Sequence, residues 1–320
     1  GRVVVNVGDK DKVQLVLNNV KINSSTSAPL YVLNADKVFI TTVSESENEL
    51  SNGGKYEAVD ENNIDSVIFA KTDLTLNGAG TLTIKADAGH GIVSKDDLVL
   101  ASGTYKITAA SHGISGKNSV RIANGTYTVV SGKDGIHAEN ADDTSLGFLY
   151  IADGTFDITA GDDGMHAASA LSIQDGSINI TKCYEGIEGL SIDISGGEIH
   201  LVAGDDGLNA AGGNDSSGFG GRGGDMFAAT EGASITISGG KIYINSSGDG
   251  VDSNGSLTVS GGETYVSGSA NSGNGALDYN GEAVISGGVF LAAGASGMAQ
   301  NFGASSTQGT MMVPVDNGTS

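Results

Sequence analysis

The sequence predicts an all-β fold, one parallel β-helix with three short strands per coil, on the strength of two recurring glycine markers and the alternating runs between them. The first marker is the glycine of Gly91-Ile92, Gly113-Ile114, Gly135-Ile136, Gly164-Met165, Gly186-Ile187, Gly207-Leu208, Gly250-Val251 and Gly297-Met298, with Ala276-Leu277 in the same frame. The second is Gly103, Gly125, Gly154, Gly176, Gly197, Gly240, Gly262 and Gly288, each placed before a strand-like run such as Thr104 to Thr108. Both recur about every 22 residues and lengthen in nearly the same places, so the extra residues are loops inserted into one repeating coil.

Within each unit, short alternating segments such as Leu171 to Ile173 and Ile178 to Ile180 are separated by Asp-Gly, Asn-Gly, Ser-Gly or Gly-Gly. Period-two alternation specifies strands and those dipeptides specify turns. The 51 glycines spread through the chain leave no room for a sustained helical period. Strands at roughly 3.3 Å per residue, in coils stacked about 4.8 Å apart, make a solenoid. Inward ladders are then Ile92, Ile114, Ile136, Met165, Ile187, Leu208, Val251 and Tyr105, Tyr127, Phe156, Ile178, Ile199, Ile242, Phe290. The aromatic members of these ladders are expected in the core.

A solenoid keeps one continuous core at any length, so residues 1–320 are expected to form a single domain. Residues 1–70 hold strand-like segments (Val13 to Leu17, Tyr31 to Leu33, Val38 to Ile40) at irregular spacing and are expected to be loop-decorated N-terminal coils and a cap. Residues 211–232 are expected to be a Gly-rich surface loop, and 301–320 a C-terminal cap or tail. Gly218 to Gly223 spells GxGxxG but has no βαβ context, so it is not expected to bind a nucleotide.

With 38 acidic against 16 basic residues and a net charge of −22, nucleic acid and anionic membranes are disfavoured as partners and cations are favoured. Cys183 is alone, which excludes an internal disulfide and a cysteine-rich zinc site. No apolar run reaches the length of a membrane span, and an opening at Gly1 without a signal peptide is expected of a mature or trimmed chain. A monomer is expected. Tryptophan, the commonest residue for stacking on sugars, is absent.

The first marker frames two chemical columns. The residue before it is His90, His112, Asp134, Asp163, Glu185, Asp206, Asp249 and Gly275; two residues after it stand Val93, Ser115, His137, His166, Glu188, Asn209, Asp252 and Asp278. Asp162 and Asp205 double the charge in the Gly-Asp-Asp-Gly units. If the marker glycine supplies positive φ at a coil corner, both flanking side chains face outward. Carboxylates about 5 Å apart then repel by roughly 3 kcal/mol at an effective dielectric near 20. Protonation or a bridging divalent cation relieves that repulsion, and exposure at neutral pH argues against protonation. Calcium suits carboxylates, Asn and backbone carbonyls best, so several Ca2+ ions are expected. The expected cages are Asp162, Asp163, Glu185 and Glu188; Glu185, Asp205, Asp206 and Asn209; and Asp249, Asp252 and Asp278, with Asp134 a further ligand. The alternative is that these aspartates only fill turns.

His90, His112, His137 and His166 either line a groove with the acids or pair structurally, His112 with Asp134 being the favoured pair. Tyr243 and Tyr265 are expected as stacked neighbours on the surface, offering faces to a sugar or packing only on each other. With His137, His166 and Lys133 they complete the expected sugar-binding set.

The Gly-Asp-Asp-Gly units at 161–167 and 204–210, with Lys133 to His137 and Ser247 to Asp252 as variants, resemble the bacterial polysaccharide-lyase-like parallel β-helix carbohydrate-binding family over roughly residues 85–300. That resemblance implies a right-handed helix, bound calcium and a secreted or cell-surface protein acting on plant cell-wall polymers, both acidic pectic polymers such as polygalacturonate and cellulose. Calcium bridging also explains how so acidic a chain would hold a polyanion. Pectate lyases of this fold take a proton with Lys or Arg beside calcium. Here Lys133, Lys182 and Arg222 are the nearby cations and none sits in a catalytic motif, so calcium-dependent binding without catalysis is expected. A calcium-dependent lyase is the runner-up and a structural surface adhesin the third reading.

Overall fold

The computed structural model describes residues 1–57, 60–211 and 229–315. Nearly all of the expected loop at 211–232, including Gly218 to Gly223 and Arg222, lies outside the described residues, as does the end of the expected 301–320 tail.

Among the described residues 31 strands and no helix build eleven coils, each laying one strand on each of three faces. One coil shows the plan: Ile114–Gly116 on the first face, Ser119–Ile122 on the second, Thr126–Ser131 on the third. Every pairing is parallel and joins neighbouring coils, Ile114 lying between Ile92 and Ile136, and Tyr127 between Tyr105 and Phe156. Met165–Ile173 and Ile187–Ile194 run unbroken from the first face to the second. A parallel sheet closed this way satisfies the backbone of each coil with the next.

The expected ladders are the core, except that Phe290 in the last coil is half-buried and only packs against it. Ile92, Ile114, Ile136, Met165, Ile187, Leu208 and Val251 have no exposed surface. Tyr105, Tyr127 and Phe156 stack with centroids 5.1 and 4.8 Å apart. The Tyr105 and Tyr127 hydroxyls donate to the Ser102 and Asn124 carbonyls at 2.7 and 2.9 Å. Those bonds avoid the roughly 1–3 kcal/mol cost of an unpaired buried hydroxyl.

Residues 1–70 are more regular than their spacing indicates. Val3 pairs with Leu30, Leu30 with Ile68, and Lys12–Leu17 with Lys37–Thr42, so the first two coils join the same ladders as the rest. A loop between Glu47–Asn52 and Ser66–Ala70 hides that register. At the other end, Phe302 packs against the core while Gly303 and Thr307 donate to the carbonyls of Ala283 and Ile285 at 2.7 and 3.1 Å. This part of the tail therefore caps the last strand of the second face.

The two glycine markers do different work. The second carries positive φ, for example 141° at Gly125, the turn into the third face. The first does not, contrary to expectation. Its role is steric: a Cβ on Gly113 would lie 2.4 Å from Val129 Cγ1 in the core.

Candidate metal-binding rail and carbohydrate face

Because the Cβ position of Gly113 and the side chain of Ile114 both face the core, His112 before them and Ser115 after them lie together on the other side of the corner. Repeated in each coil, this brings the two chemical columns against each other as one rail. The rail is not the solvated surface that outward-facing carboxylates would form. Asp134, Asp163, Glu185 and Glu188 are 0 to 2% exposed, and His166 is 0% exposed. The columns cover each other, as the 2.6 Å contact of His137 Nδ1 with Asp134 Oδ2 and the 2.7 Å bond from Asn209 Nδ2 to Glu185 Oε2 show. Burial makes protonation a real competitor of a bound cation, contrary to the expectation from exposure.

The N-terminal half of the rail is neutralised by imidazole. His90, His112, His137 and His166 stack successively, with centroids 4.9, 4.2 and 5.0 Å apart. Asp134 Oδ2 meets His112 Nδ1 at 3.0 Å, the favoured pairing, while Asp134 Oδ1 accepts the Asp163 backbone N–H at 3.2 Å. Burial alone would raise Asp134, but the two imidazoles outweigh it and hold the carboxyl far below its ordinary value. Asp134 is thus occupied by histidine and does not belong to an all-oxygen calcium cage.

The first expected cage is changed in the same way. His166 Nδ1 lies 2.6 Å from Glu188 Oε2 and 3.5 Å from Asp163 Oδ2. Burial opposes its charge, yet the hydrogen bonds to Asp163 and Glu188 raise it to about 11. Burial, with neighbouring carboxylates adding to it, raises both acids, and the His166 charge they share offsets this only in part. An imidazolium therefore stands among the expected ligands Asp163 and Glu188. Asp162, expected in the same cage, is half-buried. His166 has no exposed surface and cannot touch a polymer, which removes it from the sugar-binding set.

From Glu185 onward the rail is oxygen without a basic partner among the described residues. Burial, then Glu188 and Asp163, push Glu185 up to about 9. Asn209 donates to Glu185, leaving its own buried Oδ1 without a hydrogen-bond partner. Burial also raises Asp206 to about 7 and Asp249 to about 6, with neighbouring carboxylates adding to it, and Asp252 is raised in the same way. One carboxylate oxygen from each of Asp206, Asp249 and Asp252 lies within 4.8 Å of the others. The second and third expected cages therefore meet at Asp206.

Two backbone N–H groups hold this cluster, Asp249 to Asp206 Oδ1 at 2.6 Å and Gly275 to Asp249 Oδ1. A Cβ on Gly248 would lie 2.3 Å from Asp205 Oδ1 and from Asp206 Oδ1, so only glycine admits both carboxylates. Asp278 pairs in register with Asp252, and its Oδ1 accepts from the Gln300 side chain and the Tyr279 N–H. The orphaned Asn209 oxygen, a ligand set without histidine among the described residues, and acids raised by burial and by one another fit a hard, oxygen-seeking cation such as Ca2+.

The third face carries the expected tyrosine pair. Tyr243 stacks between His200 at 4.4 Å and Tyr265 at 5.2 Å, with Lys241 Nζ 5.4 Å from its ring centroid. Both faces of Tyr243 are covered by its neighbours, so it offers a sugar its edge rather than its face. A shallow depression of about 180 Å³ runs beside it along Asn179, Val202 and Asn245.

Over the histidine stack lies a groove of about 310 Å³ lined by His90, His112, His137, Lys95 and Lys117 among others. Lys133 is exposed but does not line it. Lys95, Lys117 and Glu139 are the residues that the two-column frame omitted. Carrying the coil alignment two positions beyond the second column reaches all three.

Comparison with known proteins places this geometry. A solved structure described as the polysaccharide lyase-like protein from C. thermocellum, gadolinium derivative, superposes with a TM-score of 0.55 at 29% identity, covering 65% of this chain and 79% of that one. A carbohydrate-binding domain-containing protein of Acetivibrio thermocellus is 32% identical over 111 residues, 34% of this chain and 39% of the relative, so the match spans well under half of that protein. The sequence model of one family spans residues 1–275, nearly every coil of the solenoid, and by that match the chain belongs to the carbohydrate-binding domain-containing proteins.

Proposed function

We propose that this chain binds acidic plant cell-wall polysaccharide such as polygalacturonate, and also cellulose, through calcium and without cleaving it, outside the cell or at its surface. The observation that carries the reading is the oxygen-only cluster of Asp206, Asp249 and Asp252. Glu185, with the orphaned Oδ1 of Asn209, extends it by one coil. Calcium held there would neutralise the half-buried aspartates and the buried Glu185 and offer its remaining coordination positions to a uronate carboxylate. A chain of net charge −22 otherwise repels a polyanion. The solved relative is described as a gadolinium derivative, and gadolinium is a hard cation that seeks oxygen ligands as Ca2+ does.

Adsorption to insoluble polygalacturonate, measured with calcium and again after chelation, tests this reading. Loss on chelation and recovery with calcium are expected; undiminished adsorption of the calcium-free protein would contradict it. A lyase is the second reading, favoured by the lyase-like description of the solved relative and by exposed Lys133 next to Asp134. Growth of ultraviolet absorbance from an unsaturated uronate product would establish it over simple binding.

A further inference from the structure

The histidine half of the rail contains a cluster that the calcium reading leaves unused. His112 Nδ1 and His137 Nδ1 converge on one oxygen, Asp134 Oδ2, at 3.0 and 2.6 Å. All three residues are buried, and these ligand atoms lie within 4.8 Å of one another. We propose that His112, Asp134 and His137 form a metal site for a borderline divalent ion such as Zn2+ or Co2+, distinct in ligand chemistry from the oxygen-only cluster.

Three observations support it. First, one oxygen faces two ring nitrogens, and the buried Nδ1 of His112 has no hydrogen bond of good geometry to any partner. A metal ion between the three atoms would use a lone pair from each. Second, the outer groups are in place. His137 Nε2 lies 3.3 Å from a Glu139 carboxylate oxygen, and Asp134 Oδ1 accepts the Asp163 N–H. A carboxylate on the far nitrogen of a ligating histidine fixes its tautomer and strengthens it as a donor. Third, the site borders a way in: His112 and His137 line the 310 Å³ groove, while Asp134 and the His112 Nδ1 are buried.

Two imidazoles and one carboxylate select borderline metals over calcium, whose preference is for oxygen alone. His166 with Asp163 and Glu188 is a poorer candidate, because His166 has no exposed surface and does not line the groove. Of the two lysines that line the groove, Lys117 is paired with Asp142 at 2.5 Å, which leaves Lys95 to favour an anionic group as the fourth ligand.

The test is titration of the chelator-stripped full chain with Co2+ in the presence of excess Ca2+, followed by visible ligand-field absorption and equilibrium dialysis. One Co2+ per chain, displaced by Zn2+, is expected. His112→Gln should abolish the absorption, whereas Asp206→Asn, in the oxygen half, should leave it intact. Glu139→Gln alters a half-exposed residue outside the ligand set and should weaken Co2+ about tenfold or more through His137. Absence of Co2+ uptake, its loss to excess Ca2+, or an unchanged spectrum in both His112→Gln and Glu139→Gln would overturn the proposal.

Discussion

The two halves of the rail occupy equivalent positions in successive coils and solve one electrostatic problem in two ways. Between His90 and His166, ring nitrogens stand beside each buried acid; Asp134 is ionised by its imidazoles and Glu188 is bonded to His166. Between Glu185 and Asp278 the only side-chain donor to the buried Glu185 among the described residues is an amide, Asn209, and the acids are pushed up instead. The backbone register is continuous across the change, as Met165 pairs with Ile187 and Ile187 with Leu208. The difference is therefore carried by side chains alone. A solenoid can vary its chemistry coil by coil without altering its fold.

Converting one half into the other gives the largest expected effect. His166→Gln removes the positive charge between Asp163 and Glu188, and breaking a buried pair in this way costs about 3–5 kcal/mol. Calcium should restore part of that loss, since the coil then resembles the oxygen half. Melting with and without calcium checks it, and a variant as stable as the parent would remove the distinction between the halves.

Next is the oxygen half itself. With calcium at a hundredfold excess over its Kd, stabilisation is about 2.7 kcal/mol, and Asp206→Asn with Asp249→Asn should abolish the gain. In calcium-free protein the same acids set a pH dependence. Asp206 and Glu185 are raised from 3.8 and 4.5 to about 7 and about 9. Their contribution is complete below the ordinary values and is lost as pH rises through the raised ones. The melting temperature of the chelated protein should fall from pH 5 toward about pH 9 while the calcium-induced gain grows. A gain that shrinks over this range would contradict the cation account.

A smaller effect is expected where the cluster depends on sterics. Gly248→Ala inserts a methyl against Asp205 and Asp206 and should cost about 1–3 kcal/mol together with weaker calcium uptake. The smallest belongs to the third face. Tyr243→Ala removes one step of an exposed stack, about 0.5–1.5 kcal/mol, and should leave polysaccharide adsorption nearly unchanged, because both ring faces are already covered.

The solenoid was legible because its period is written twice, once by the packing glycine at Gly113 and once by the positive-φ glycine at Gly125. The two columns were legible for the same reason. Their burial was not, since it depends on how sharply the corner folds Asp134 against His137, and alternation carries no such angle. The imidazolium among Asp163 and Glu188 escaped for a related reason. His166 belongs to the same column as Glu188, and spacing alone does not show that its ring lies across the coil boundary onto the next carboxylate. The first coils were hidden by long intervals, although Val3, Leu30 and Ile68 stand in one ladder.

On the proposed reading the oxygen half holds calcium and the histidine half does without it. Anomalous scattering from crystals grown in calcium tests it most directly. Calcium is expected among Asp206, Asp249 and Asp252 and beside Glu185 and Asn209, with His166 still bonded to Glu188. Calcium between Asp163 and Glu188 with His166 displaced, or an oxygen half that binds none, would contradict it.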